Sequence, residues 1–254
     1  MKSVHDSHVA SQFGPRALAY VESAVHAQGD DLSRLGALTA ARRPARALDL
    51  GCGGGHVTYA MAPHTETAVA CDLSAEMLAA VRATATARGL GNVETVESTA
   101  ESLPFADAGF DMLGCRYSAH HWQDVDAGLR EARRVLKPGA PAVFIDVVSP
   151  GSPLPDTHLQ AVELLRDTSH VRDYSIAEWR EKLARAGFAV TDVVTWRLRM
   201  DFPVWIARMA TPEPLATAIR LVQQSAPDEV RRHFAIEEDG SFMLDMAMFE
   251  TVAG

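Results

Sequence analysis

The chain of 254 residues carries 33 acids against 24 lysines and arginines, a net charge of -9, with 47% apolar and 22% charged residues. That is the composition of an ordinary globular protein, long enough for one large α/β domain with an appended lobe. The acidic balance speaks against a nucleic-acid backbone as partner, and nowhere do about 18 apolar residues run together to span a bilayer.

The opening stretch, "MKSVHDSHVASQFGPR", lacks the apolar region of a signal peptide. After it, "PRALAYVESAVHAQGDDLSRLGALTAARR" reads as two helices, so residues 1–44 form an expected N-terminal helical cap. From Ala45 to Val148, short β-rich runs alternate with helical ones. "ARALDL", "TAVACD", "VETVES", "FDMLGC" and "PAVFIDVV" read as strands. "HVTYAMAPH", "SAEMLAAVRATATARG" and "VDAGLREARRVLKPG" read as helices, with Ser74 as an N-cap and Gly89 and Gly139 as stops. Such alternation predicts a doubly wound parallel sheet covered on both faces, with ligands beyond the carboxyl ends of its strands.

Residues 149–254 are expected to complete that sheet. "SPGSPLPD", Ser149–Asp156, reads as a turn region. "SIAEWREKLARAGF" follows as a helix with a capping box of Ser175 and Glu178 and a stop at Gly187. Two late β-like runs, "AVTDVVTWRLRMDF" and "SFMLDMAMFETV", flank a Pro-punctuated helical insert from Pro203 to Phe234. The arginines of "ARRPAR" and "REARRVLK" read as solvated helix faces. Cys52, Cys71 and Cys115 are odd in number and widely spaced, which suits a reducing cytoplasm better than a disulfide framework. No paired Cys-x-x-Cys zinc motif is present.

The stretch "ALDLGCGGGHV" carries the chemistry. A glycine-rich turn between a strand and its helix lets a ligand approach main-chain N–H groups, and the helix start offers unpaired donors. A dinucleotide fingerprint needs glycine at the first, third and sixth positions. Counting from Gly51 and Gly53, the sixth is His56. The loop instead spells Asp49, Gly51, Gly53, Gly55 at alternate positions. A carboxylate there would repel a pyrophosphate and attract an ammonium or sulfonium group. A second acid, Asp72, ends the second strand, where such folds grip ribose hydroxyls. The competing readings are a buried turn acceptor for Asp49 and a helix cap for Asp72.

With these motifs in order, "ALDLGCGGGHVTYAMA", "AVACDLSAEML", "STAESLPFADAGFDMLGCRYSAHHWQD" and "LREARRVLKPGA", the chain resembles class I S-adenosylmethionine-dependent methyltransferases. More narrowly, it resembles the type 11 group that includes ubiquinone/menaquinone-biosynthesis methyltransferases. The resemblance covers about Ala45 to Val148 and implies a Rossmann-like seven-stranded sheet, six strands parallel and one antiparallel. It implies S-adenosylmethionine as donor, with Gly51, Cys52 and Gly53 along its methionine end and Asp49 facing its amino group. Asp72 would hold the ribose, Leu73 and Met77 would pack on the adenine, and Thr99, Ala100 and Glu101 would meet its edge. Thr99 stands where the family often has Asp. Tyr20 aligns with an aromatic that closes over the donor, and Cys115 is expected near the same pocket.

"CRYSAHHWQD" follows the fourth strand, where the transferred methyl group should emerge. His121 is the expected base or substrate-orienting residue and His120 a weaker candidate, since imidazole titrates near neutrality. No third ligand lies at metal-site spacing from His120 and Asp124, so no metal is expected. Trp196, Trp205, Met209, Leu215 and Phe234 could wall a pocket for a small, partly apolar acceptor, or serve as core or homodimer contact. Two rivals stand beside this reading. A nicotinamide-dependent oxidoreductase is disfavoured by His56 and by the lack of a Tyr-x-x-x-Lys pair. A catalytically silent S-adenosylmethionine-binding domain would differ only in turnover.

Overall fold

The computed structural model of the chain describes residues 3–14 and 29–254. Its centre is a seven-stranded sheet of order β3-β2-β1-β4-β5-β7-β6. The strands are β1 (Arg46–Leu50), β2 (Thr67–Asp72), β3 (Val93–Glu97), β4 (Met112–Arg116), β5 (Pro141–Val147), β6 (Phe188–Met200) and β7 (Phe242–Ala253). Strand β7 pairs antiparallel with both β5 and β6, and the other pairings are parallel. Six strands therefore run one way and one the other, as expected.

Alternation along the strands sends side chains into two layers. On one face, Leu48, Leu113 and Phe144 pack with Leu129 and Val135 of α5 (Val125–Val135) and with Trp179 and Leu183 of α7 (Ile176–Arg185). On the other, Ala47, Met112 and Val143 pack with Leu35 of α2 (Asp30–Arg42) and Val57 and Met61 of α3 (His56–Met61). Gly114 in mid-β4 is required by this packing, because a Cβ there would sit 2.8 Å from Val57. Helix α4 (Ala75–Ala87) is capped by Ser74, whose hydroxyl accepts from the Met77 N–H at 3.2 Å. A third apolar cluster joins β6 and β7 to α6 (Pro153–Arg166), α8 (Phe202–Met209), α9 (Glu213–Gln224) and α10 (Asp228–His233). The expected insert is thus three helices.

Two expectations need correction, one element was not expected, and one expected helix lies outside the described residues. Helix α1 (Val4–Phe13) occupies the opening stretch, started by a capping box of Ser3 and Asp6. Helix α5 ends at Val135 rather than at Gly139, because Lys137 precedes Pro138 and cannot stay helical. The expected turn at Ser149–Asp156 already turns into α6 at Pro153, which fits the first turn of a helix where its missing N–H costs nothing. Of the two helices expected before residue 45, the second is α2, and the segment carrying Tyr20 lies outside the described residues.

Candidate active site

The sheet order reverses beside β1, whose neighbours are β2 and β4, so the crevice beyond its tip is where a doubly wound fold takes ligands. The glycine loop fills that point. Gly51 and Cys52 both donate their N–H to the Cys71 carbonyl at 2.9 Å, tying the loop to the end of β2. The Gly53 N–H donates to Asp72 Oδ2 at 2.8 Å, while Asp72 Oδ1 accepts from the Ser74 N–H at 2.9 Å. Asp72 thus holds loop and helix cap together.

Asp49 is buried, with Oδ2 accepting from the Thr58 N–H at 2.8 Å and the Thr58 hydroxyl at 2.6 Å. Burial pushes its carboxyl up to about 7 against the opposing pull of those hydrogen bonds. Around these groups lies a cavity of about 1040 Å³, open solvent at its mouth included.

The cavity is lined by Asp49, Gly51, Cys52, Gly53, Asp72, Leu73, Met77, Ala100 and Glu101, all of them expected site residues. Two others are not among its lining. Thr99 is flanked by Ser98 and Ala100, which are. Cys115 is 2% exposed and packs into the core, because the β4 pleat turns it toward Leu113's layer. The residues just past it, Arg116, Tyr117 and Ser118, line the cavity instead.

Sequence reasoning also missed the roof. Asp6, Val9 and Phe13 of α1 line the cavity, and α1 is fastened by His5 Nε2 at 3.0 Å from the His121 carbonyl and by Gln123 donating to Asp6 at 3.2 Å. The Ser3–Asp6 capping pattern was the signal available for it.

The three thiols follow burial. Cys71 and Cys115 are sealed in the core and Cys52 alone of them lines the cavity, and burial raises every one of their pKa values. Iodoacetamide at pH 8 is therefore expected to label Cys52 slowly and the other two not at all. Peptide mapping by mass spectrometry checks this. Equal labelling of all three would contradict the packing.

His120 and His121 sit on a 3-10 turn, Ala119–His121, after β4. His121 lines the cavity, with Phe13 edge-on at 5.0 Å between ring centres. Its Nδ1 is 3.1 Å from the Ser169 carbonyl and must donate to it, leaving Nε2 as the acceptor, 3.9 Å from Asp167. Burial and the neighbouring charge of His120 hold His121 well below the ordinary imidazole range. His120 behaves oppositely. Burial opposes its charge, but Asp146, whose Oδ1 is 2.6 Å from Nδ1, together with Asp173 and Glu163 raises it to about 9.

His120 lines a second cavity of about 620 Å³, and Phe13, Tyr117 and His121 line both. Its apolar wall comes chiefly from β6 and β7, through Leu198, Met200, Leu244 and Met246, with Trp205 from α8. Of the expected wall residues only Trp205 is there. Met209 and Phe234 are buried in the core, and Trp196 and Leu215 are half-buried elsewhere. The rest of its lining is polar, with Glu163, Asp167, Asp173, Arg166 and Arg208. Asp124 instead caps α5, accepting from the Ala127 N–H at 2.9 Å. The further ligands that spacing did not offer His120 come from distant strands and loops: Asp146 and Asp173 cluster with it.

Residues 48–144 match the methyltransferase domain family of the type 11 group. The uncharacterized protein YafE of Escherichia coli K12 is 50% identical over 200 residues, 79% of this chain and 97% of that protein. YcgJ of Bacillus subtilis, named an uncharacterized methyltransferase, is 35% identical over 88% of each chain. Its crystal structure matches with a TM-score of 0.84 at 33% identity, covering 88% of this chain and 97% of that one. The structure of BH2331 from Bacillus halodurans C-125 matches with a TM-score of 0.85 at 31% identity, covering 89% and 99%. Sheet order, glycine loop and relatives agree: the chain belongs to the S-adenosylmethionine-dependent methyltransferases of class I, in the type 11 branch.

Proposed function

We propose that the chain transfers a methyl group to a small, partly apolar molecule seated in the second cavity, from a donor seated in the first. The observation that carries this reading is the meeting of the two cavities at Phe13, Tyr117 and His121. Methyl transfer is an in-line displacement that needs donor and acceptor aligned at about 3 Å in a dry site. Two adjoining pockets with a shared wall suit that requirement.

The first cavity fits S-adenosylmethionine. A Cβ on Gly53 would meet no protein atom within 4 Å, so the backbone is bared toward ligand rather than toward packing. Gly51 and Cys52 would border the methionine end, Asp49 its ammonium, and Asp72 the ribose hydroxyls. Leu73, Met77 and Ala100 would flank the adenine, with Glu101 at its edge. When bound, the sulfonium supplies an electrophilic methyl group. The chain's own contribution is orientation and exclusion of water, with neutral His121 presenting Nε2 toward the acceptor as proton acceptor or positioning contact. Three unpaired thiols suit a reducing, cytoplasmic location.

Calorimetry with S-adenosylhomocysteine and, separately, NADH tests the donor assignment. The first is expected to bind and the second not, and Asp72→Ala is expected to weaken the first by about 1–3 kcal/mol. NADH binding with equal strength would end the reading. Turnover of radiolabelled donor over an acceptor panel separates an enzyme from a silent binding domain.

Asp49 adds a pH dependence. Its carboxyl titrates near 7 in the free protein, and a bound ammonium favours the ionised form. Affinity is therefore expected to hold above pH 7 and to weaken as pH falls below it, by up to about tenfold per unit. Asp49→Asn should flatten the profile between pH 5.5 and 8. A wild-type profile already flat there would remove Asp49 from the donor site.

A further inference from the structure

The polar lining of the second cavity adjoins a group that methyl transfer does not explain. Three side chains converge there from separate parts of the chain: His120 after β4, Asp146 on β5, and Asp173 between α6 and α7. One nitrogen or oxygen of each lies within 4.8 Å of the other two. Both acids are 2% exposed. Asp146 Oδ1 holds His120 Nδ1 at 2.6 Å and also accepts from the Val147 N–H at 3.0 Å.

Asp173 Oδ2 is buried with no hydrogen-bond partner. The nearest candidate, His170 Nε2, stands 3.9 Å away and is engaged at 2.9 Å by Gln160 Oε1. That same Oε1 accepts the Asp173 N–H at 3.1 Å, and Gln160 Nε2 donates to the Asp173 carbonyl at 2.8 Å. The backbone of Asp173 is thus pinned, and its carboxylate is held toward His120 and Asp146 with an oxygen left over. Buried polar atoms are rarely left so, and each such case calls for a ligand or an equivalent cause.

We propose that His120, Asp146 and Asp173 form a binding site for a divalent transition-metal cation of the Mn2+, Co2+ or Zn2+ kind. One imidazole nitrogen and two carboxylate oxygens suit such ions, whereas Ca2+ takes six to eight oxygens. Bonds of about 2.0–2.2 Å put ligand atoms about 3–4 Å apart, so modest rotamer changes close this cluster on an ion. Glu163 and Asp167 line the same cavity and deepen its negative potential, offset in part by Arg166 and Arg208. The proton between His120 and Asp146 and the one that burial favours on Asp173 both leave to solvent as the ion binds. His120 and Asp173 both face the cavity, so the remaining coordination positions open onto it. That an acceptor oxygen or nitrogen takes one of those positions rests on the function proposed above, and the site itself does not.

The test uses the full chain stripped with chelator and titrated with Mn2+ followed by electron paramagnetic resonance. One ion per chain is expected to bind, with pulsed spectra showing the nitrogen of one imidazole. His120→Ala and Asp173→Asn are each expected to weaken binding at least tenfold, while Asp72→Ala leaves it unchanged and weakens S-adenosylhomocysteine binding. Retained S-adenosylhomocysteine binding shows that a metal-site variant is folded, and Asp146→Asn replaces either one that is not. Absence of stoichiometric binding below 1 mM for Mn2+, Co2+ and Zn2+ alike would overturn the site. So would binding without imidazole nitrogen, or binding indifferent to the variants. Metal bound by a chain that ignores S-adenosylhomocysteine would uphold the site and overturn the donor reading alone.

Discussion

Gly51→Ala is expected to unfold the site and Gly53→Ala to empty it, although the two glycines are two residues apart. Both sit in left-handed backbone, at φ +71° and +46°, which charges an alanine about 1–2 kcal/mol. Their surroundings then separate them. A Cβ on Gly51 would lie 1.8 Å from Ser118 Oγ, which accepts the Trp122 indole N–H at 3.1 Å. Moving Ser118 aside strands that buried donor, adding about 1–3 kcal/mol. With a drop of about 2–5 kcal/mol in total, the midpoint should fall by about 10 °C for a chain of this size. Gly53→Ala meets no protein atom, so its midpoint should move by less than half as much while S-adenosylhomocysteine affinity falls at least tenfold. Thermal melts and calorimetry on the pair decide it. Equal melting losses, or full affinity in Gly53→Ala, would show that the loop is shaped for packing and not for a ligand.

The second large effect is expected at Asp31, on α2. Its carboxylate meets Arg116 Nε at 2.5 Å, with the two side chains 5% and 4% exposed. The Arg116 guanidinium also lies 4.2 Å over the Tyr117 ring, at the tip of β4 where the cavities meet. Asp31→Ala leaves a buried positive charge without its carboxylate, which destabilises by about 3–5 kcal/mol. Replacing both partners, Asp31→Leu with Arg116→Met, should recover most of that loss, since desolvating the pair already offset much of its attraction. Denaturant unfolding of the singles and the double measures the coupling. A single-variant loss under 1 kcal/mol would mean that water reaches the pair.

The sheet and most of the first cavity's lining were legible because both are written locally. Strand and helix periods show in runs of five to a dozen residues, and the loop from Asp49 to Gly55 is one continuous word. Capping boxes at Ser175 and strand ends at Asp72 obey the same short-range chemistry. What stayed hidden is assembled across the chain. Helix α1 begins about forty residues before the core and meets the site through His5, Asp6 and Phe13. The apolar wall of the second cavity belongs chiefly to β6 and β7, whose residues gave an alternating pattern but no sign of which face would meet a cavity. His120 read as a lone imidazole because Asp146 and Asp173 are 26 and 53 positions away. Cys115 was assigned by its place at a strand tip, whereas the pleat, whose parity the motif does not fix, points it into the core.

Phe13, Tyr117 and His121 each belong to both chambers. On the function proposed above, a change of size at any of them would alter donor affinity and acceptor choice together, so neither trait could drift there independently. Leu198, Met200, Leu244 and Met246 border the second cavity without lining the first. Divergence of specificity among relatives should therefore begin on those four positions of the late hairpin and reach the shared trio last.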